Sequence, residues 1–377
     1  MNDHTTPRLR WLNAIDREQP TLGLPVLSGV RVLRLYTASA RHGSYSHHSY
    51  IFSHQGVLFA AWSNHAVDED ASGQRALWSR SNDGGRSWTD WEELFPPQDK
   101  VKPHAEQDLL NDRVLIPNGF ALVGKDLYAV AEVHVLGDHR RGFGRLARRI
   151  HGDGRCDPIF WLVDFPPEPK AGFPAYPPAS DPAIAPLAAA IHQCLVRPGF
   201  EPSWEFQHQT CNPQAVDGHR LCEPTQSWKL ASGTWVRLYR DKDRSSNVNY
   251  ARFSTDDGLT WAPPVRTDFP DASSRSAVGQ LPDGTALVIN NPGRERSRVD
   301  GGLRRDPLVL SLAADGLTFD RSVVIAHSAP PPAFEGYAKN PGYQYPRAVV
   351  LGESLFAMYS VNKEHIEVAT IPLASLP

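Results

Sequence analysis

Ser81-Asn82-Asp83-Gly84-Gly85-Arg86-Ser87-Trp88 and Ser254-Thr255-Asp256-Asp257-Gly258-Leu259-Thr260-Trp261 share the pattern Ser-x-Asp-x-Gly-x-x-Trp. A third stretch, Asp315-Gly316-Leu317-Thr318-Phe319, keeps its second half. The chemistry of the pattern is that of a tight turn. The Asp carboxylate accepts backbone N–H groups of the turn, Gly takes a bend that needs positive φ, and the aromatic ring fills the gap beside the next hairpin. Further Asp-Gly steps stand at Asp153-Gly154 and Asp283-Gly284. Between apolar runs such dipeptides mark hairpins. The runs are there at 30–36, 57–62, 127–133, 235–239, 285–289, 307–312 and 355–361, each rich in aliphatic, β-branched or aromatic residues. Many short strands joined by hairpins predict an all-β fold. A turn motif recurring at more than one blade's length favours radial repetition over a sandwich.

Composition agrees. The 33 prolines and 28 glycines in 377 residues suit turns better than long helices, and 41% hydrophobic residues supply a large core. One region breaks the β pattern. Residues 166–182 are Pro-rich and read as a loop, with Asp181 as an N-cap and Pro182 at the first helical position. A helix is expected over 183–195, with its regular part starting near Pro186. The expectation is one propeller domain over 1–377, with 166–222 as a loop-and-helix insertion between blades and its helix near 181–196.

The repeated motif resembles the Asp box of sialidase-like (BNR) β-propellers. Within that superfamily the chain resembles a narrower group, which cleaves L-rhamnose from α-1,4-linked glucuronic acid as rhamnosidases or as lyases. The matching stretches are Tyr45-Ser46-His47-His48, Trp62-Ser63-Asn64-His65, Glu69-Asp70, Gly73-Gln74-Arg75, and Gly144-Arg145-Leu146-Ala147-Arg148 before Ile159-Phe160-Trp161. Arg305-Asp306-Pro307-Leu308, Gly342-Tyr343-Gln344-Tyr345-Pro346 and Tyr359-Ser360-Val361-Asn362-Lys363-Glu364 complete them; the pattern is broken at Arg347, where the group has His. The resemblance implies seven blades, with six as the alternative. It also implies an acidic carbohydrate substrate and cleavage of the rhamnose–glucuronate linkage of arabinogalactan-type glycans.

β-Elimination from a 4-O-substituted glucuronate needs a cation on the carboxylate, a base for the C5 proton and an acid for the departing O4. His, Tyr and Arg suffice, so no cofactor is required. His65 ends a strand and is the expected base or acid. His47 and His48 are neighbours and point to opposite sides of a strand; His48 is the one assigned to the funnel. Tyr128 is the candidate proton shuttle, and Arg148 completes the catalytic set. Arg145, Arg240, Lys242, Lys339 and Tyr345 are candidates for binding the substrate, the arginines as bidentate clamps on a carboxylate. The enzymatic rival is an exo-sialidase or another uronate-active glycosidase or lyase. A sialidase needs three arginines, a Tyr/Glu nucleophile pair and an Asp acid. Its first arginine usually sits in Arg-Ile-Pro, where this chain has Gly29-Val30-Arg31-Val32-Leu33. A binding propeller without turnover is the third reading.

His192, Cys194, His208, Cys211, His219 and Cys222 fall in one stretch and raise a structural zinc site, although their spacing matches no established zinc pattern. Calcium in the propeller channel is the other metal considered. Otherwise no metal is expected. A net charge of −3 without a basic stripe argues against nucleic acid. Residues 1–16 hold no apolar run of signal-peptide length and no stretch reaches membrane-span length, so a cytoplasmic monomer with no membrane partner is expected, or a secreted one if a leader was removed.

Overall fold

The computed structural model describes residues 7–136, 138–164, 174–197, 213–294 and 303–377. Among them are five antiparallel sheets, each a blade. Blade 1 holds strands Tyr45–His54, Val57–His65, Arg75–Ser81 and Glu92–Phe95. Blade 2 holds Arg113–Val123, Asp126–Val135, Asp138–Ile150 and Phe160–Val163. Blade 3 starts with the short strands Leu221–Cys222 and Ser227–Lys229, both paired to Trp235–Asp241, and continues through Val248–Ser254 and Val265–Pro270. Blade 4 holds Ala277–Gln280, Ala286–Asn290, Leu308–Ala313 and Arg321–Ala326. Blade 5 runs Tyr343–Leu351, Ser354–Val361 and His365–Pro372, and the N-terminal strand Arg31–Tyr36 closes it as the outer edge. Both ends of the chain are thus tied into one sheet, which covers an edge that would otherwise be open.

Five blades correct the expected seven, and the six-blade alternative with it. The all-β class stands, and every apolar run named above forms a strand. The helix is Ala185–Leu195, with Pro186 in its first turn; Ala188, Ile191 and Leu195 pack on Tyr128, Val130 and Phe160 of blade 2. Much of 166–222 lies outside the described residues.

The Asp boxes behave as turn chemistry requires. Asp83 Oδ1 accepts Ser87 N–H at 2.9 Å, and Ser81 Oγ accepts Gly85 N–H at 2.9 Å. Asp256 and Ser254 repeat this with Thr260 and Gly258, and Asp315 Oδ1 accepts Leu317 and Thr318. All three lie between the last two strands of their blades, and none of their residues lines the central cavity. Gly85 shows why the box needs glycine. Its φ is +77°, and a Cβ there would stand 2.3 Å from Phe356 Cε1 of the neighbouring blade. Gly85→Ala combines a strained φ with overpacking and is expected to cost about 2–4 kcal/mol. A thermal melt reads this directly; an unchanged midpoint would mean that the two blades separate freely at this contact.

Candidate active site

A cavity of about 460 Å³ opens where the blades converge. The innermost strands bend there. The register of Tyr45–His54 slips between His47 and Tyr50, that of Arg113–Val123 between Pro117 and Phe120, and that of Tyr343–Leu351 between Gln344 and Arg347. Such bulges re-aim side chains out of strict alternation. His48, Asn118 and Tyr345 sit at the three slips, and all line the cavity. His48, Asp70, Glu223 and Tyr345 also share positive φ, between 47° and 49°. Non-glycine residues held there cost energy, and such residues cluster at functional sites.

Tyr345 is the centre of the site. Its hydroxyl donates to Glu223 Oε1 at 3.0 Å and accepts from Arg240 Nη1 at 3.1 Å. Arg240 Nη2 lies 2.8 Å from the same Glu223 oxygen, and Arg275 Nε lies 3.5 Å from the other. The guanidinium carbons of Arg240, Arg275 and Arg305 stand 5.9, 5.2 and 5.5 Å from the centre of the Tyr345 ring. Three cations thus surround one phenol–carboxylate pair. Burial works against an ionised Glu223, but Arg240 and Arg275 outweigh it and hold the carboxyl at about 2. Burial pushes Tyr345 well above an ordinary phenol, despite the pull of Arg240, so the hydroxyl keeps its proton at rest.

The cavity lining also carries acidic residues. Asp70 is raised to about 6, first by burial and then by the charge of Glu69. Its Oδ1 has no hydrogen-bond partner among the described residues. Glu69 is held by the Lys363 ammonium and approaches His48 Nε2 at 3.5 Å. His48 Nδ1 is 2.9 Å from Ser63 Oγ, and burial lowers its pKa to about 4. His48 is therefore neutral at physiological pH. His47 is fully buried, 4.2 Å from the Tyr345 ring and 2.8 Å from Ser360 Oγ. The bulge puts both histidines on the Tyr345 side, which simple alternation does not allow.

Of the residues assigned from the sequence, His48, Arg240 and Tyr345 line the cavity. The others do not. His65 is turned into its own loop, its Nε2 on Ser72 O at 3.1 Å and its Nδ1 accepting Val67 and Asp68 N–H. Tyr128 is packed against the helix. Arg148 donates to Asp157 O and Leu94 O at the outer side of blade 2. Lys242 is exposed. Lys339 is buried in an ion pair with Glu364 and also donates to Ser44 Oγ. Arg145 stands behind the wall, its Nη1 on Glu132 Oε2 at 3.0 Å. Residues that the sequence left without a role are Glu223, Arg275, Arg305, Asp70 and Lys363. Arg31, where a first arginine was sought, is exposed and donates to Gly85 O and Arg86 O instead.

Among the described residues the candidate zinc ligands are not gathered. Cys194 Sγ donates to Leu122 O, Cys222 Sγ accepts from Arg240 Nε, and His219 meets Asp241; His208 and Cys211 lie outside the described residues. His47, His48 and Glu69 have ligand atoms within 4.8 Å of one another, but Lys363 already supplies Glu69 with a cation. Beneath the site a second cavity of about 130 Å³ is lined by Tyr50, Asn118, Gln226, Ser276 and Arg347 among others. It offers calcium no carboxylate and a fixed positive charge, a poor donor set for a hard cation.

Residues 193–358 match the model of the BNR repeat-like domain family. No curated protein matches the chain. Among solved structures, a sialidase superposes with a TM-score of 0.77 at 22% identity, over 97% of this chain but only 35% of that one. This chain therefore spans about a third of that protein's length. The Trypanosoma rangeli sialidase in complex with sialic acid gives 0.53 at 12% identity, over 93% of this chain and 60% of that one. The intramolecular trans-sialidase from Ruminococcus gnavus, in complex with oseltamivir carboxylate, gives 0.53 at 9%, over 94% and 99%. The fold is thus a β-propeller like those of the sialidases, and residues 193–358 resemble the BNR repeat-like domain. No helix among the described residues is long and apolar enough to cross a membrane.

Proposed function

We propose that the chain is a retaining exo-glycosidase for a sugar whose anomeric carbon carries a carboxylate, a sialic-acid-like ulosonic acid. The observation that carries this is the Tyr345–Glu223 hydrogen bond of 3.0 Å set among Arg240, Arg275 and Arg305. The arginines bind the carboxylate. A carboxylate nucleophile would be repelled by that group; a neutral phenol is not. Tyr345 Oη bonds to the anomeric carbon as its proton passes to Glu223, and Asp70 gives its proton to the departing glycosidic oxygen. Water then attacks the tyrosyl-linked sugar with Asp70 as base, and Glu223 returns the proton to Tyr345. Arg240 touches both members of the pair and stabilises the charge that develops on the phenol oxygen. The fold neighbours described with sialic acid or oseltamivir carboxylate hold carboxylate ligands, in keeping with this reading.

The rhamnose–glucuronate lyase reading has less support, because His65 and Tyr128, its base and acid, lie away from the cavity. Two incubations separate the readings. Aryl α-ketosides and sialyl-lactose are expected to release free ulosonic acid, with retention of configuration by NMR. Rhamnose-capped arabinogalactan is expected to give no near-ultraviolet absorbance from a C4–C5 double bond. The reverse pattern would replace the hydrolase by the lyase, and silence in both would leave a binding propeller.

The acid sets the pH profile. Asp70 must be protonated, so kcat/KM is expected to fall above about pH 6. Glu69→Gln removes a neighbouring negative charge and leaves Lys363 uncompensated. Both effects lower the Asp70 pKa and move the alkaline limb to lower pH. A limb that stays in place would assign the titration to another group.

A further inference from the structure

The link between blades 4 and 5, residues 327–342, brings Tyr337, Ala338 and Asn340 into the lining of the cavity. Pro330, Pro331, Pro332 and Pro341 stiffen it, because each fixes its own φ. Three carboxylates then pin it, and each accepts two successive backbone N–H groups. Asp306 takes Ser328 and Ala329 at 3.1 and 3.0 Å. Glu364, fully buried, takes Ala333 and Phe334 at 2.9 and 2.7 Å. Asp68 takes Tyr337 and Ala338 at 2.6 and 2.9 Å. These acceptors come from blades 4, 5 and 1 in turn, so the link is fastened along its length to three parts of the rim.

On this fastened link the Tyr337 side chain stands in water at the cavity mouth, 85% exposed. Single exposed apolar side chains are ordinary on protein surfaces. What sets this one apart is where its own N–H is held. Asp68 is two residues from Asp70, so their Cα atoms lie at most about 7 Å apart. The aromatic ring is thus tied to the acid by one hydrogen bond and two residues of chain, and both line the same cavity. In the reaction above Asp70 protonates the departing oxygen. Whatever that oxygen carries must therefore leave beside this stretch of the rim.

We propose that Tyr337 is the platform for the sugar to which the departing oxygen belongs, so that the chain prefers ulosonic acids linked to a pyranose over those linked to a small alkyl group. This rests on the hydrolase reading above. The face of an aromatic ring carries negative charge density. A pyranose that gathers C–H hydrogens on one face, as a galactoside does, meets that ring face favourably and sheds water from both surfaces. A methyl group offers no such face. The platform is cheap to use, because the prolines and the three carboxylates order it before the ligand arrives.

The test compares the methyl α-ketoside of one ulosonic acid with the same acid linked to lactose. The ratio of kcat/KM, lactoside over methyl ketoside, is expected to fall by about fivefold to tenfold in Tyr337→Ala and to stay within about twofold in Tyr337→Trp. The methyl ketoside alone should change by less than about twofold in either variant, because it reports the arginines, the nucleophile and the acid without the platform. Both variants should melt like the parent, since the side chain is exposed. Asp68→Ala unpins the link and should lower the same ratio; adding Tyr337→Ala to it should then remove less than it removes from the parent. A ratio that Tyr337→Ala leaves unchanged, or losses that fall equally on both substrates, overturns the proposal while the hydrolase reading stands. If neither ketoside is cleaved, calorimetric titration of the two compounds replaces turnover. Tighter binding of the lactoside, abolished by Tyr337→Ala, would keep the platform while the hydrolase reading fails. Equal affinities, or no binding of either, would remove it.

Discussion

Tyr345→Phe is expected to lower kcat by at least about 10³-fold while leaving KM within about threefold. The phenylalanine ring can keep its place among Arg240, Arg275 and Arg305, so the carboxylate clamp survives. What disappears is the hydroxyl shared by Glu223 and Arg240. Losing those two hydrogen bonds costs about 1–3 kcal/mol of stability, which a domain of this size tolerates. A melting curve is therefore measured beside the kinetics. The parent should also be labelled by a 3-fluoro ulosonyl fluoride, which slows breakdown of the glycosyl intermediate, with the added mass on the peptide containing Tyr345. Turnover in the phenylalanine variant within about tenfold of the parent, or label on another residue, would remove Tyr345 as nucleophile. The Asp70→Ala variant provides a contrast. It should lose most activity on sugars with poor leaving groups and little on aryl ketosides, because a good leaving group needs no proton.

What could be read in advance follows the range of the interactions involved. The Asp boxes were legible because each is complete within eight residues: Asp83 meets Ser81 and Ser87, Ser81 meets Gly85, and the turn needs nothing from elsewhere. The blade number was not legible. It depends on which strands pair, and the innermost strands are poor in apolar alternation. Tyr45–His54 begins Tyr-Ser-His-His-Ser, because it faces a polar cavity rather than a core. The site was half legible for a related reason. His48, Arg240 and Tyr345 stand in strands or at strand ends with polar chemistry. Glu223 follows the two-residue strand Leu221–Cys222, and Arg275 stands in Asp271-Ala272-Ser273-Ser274-Arg275, with no pattern to mark either. His65 and Tyr128 had the right residue types in plausible strands. The first is turned into its own loop, and the second packs against a helix whose docking face the sequence does not disclose. The sialidase-like alternative ranks lower in the sequence because the Arg-Ile-Pro motif of the first arginine is missing, with Gly29-Val30-Arg31-Val32-Leu33 in its place. A cation that completes a cluster can come from another blade, and here Arg275 stands with Arg240 and Arg305 around the Tyr345 ring.

Arg240→Met tests the cluster where it is most tightly connected, and it should separate catalysis from folding. Arg240 meets Glu223, the Tyr345 hydroxyl, Ser273 O and Cys222 Sγ. Breaking a buried pair by removing one partner costs about 3–5 kcal/mol, because the other charge stays desolvated. Arg275 and Tyr345 still reach Glu223, so a loss of about 2–3 kcal/mol is expected. Without Arg240 the Glu223 carboxyl rises from about 2 toward the ordinary carboxylate range. The sign follows. A depressed carboxylate adds stability at pH values above its unfolded pKa, and that stability is lost as pH falls through the folded value. The variant should therefore melt lower than the parent at neutral pH, with the gap narrowing as pH falls below about 4. Adding Glu223→Gln removes the stranded charge and should recover much of the neutral-pH loss. Activity should not follow. The double variant lacks a charge-assisted bond to the substrate carboxylate and the base for Tyr345, so kcat/KM should stay down by about 10³-fold or more even where the fold is restored. Recovery of stability and activity together would mean that Arg240 serves only to neutralise Glu223. Recovery of stability alone, with the double variant less active than Glu223→Gln by itself, places the arginine on the reacting sugar.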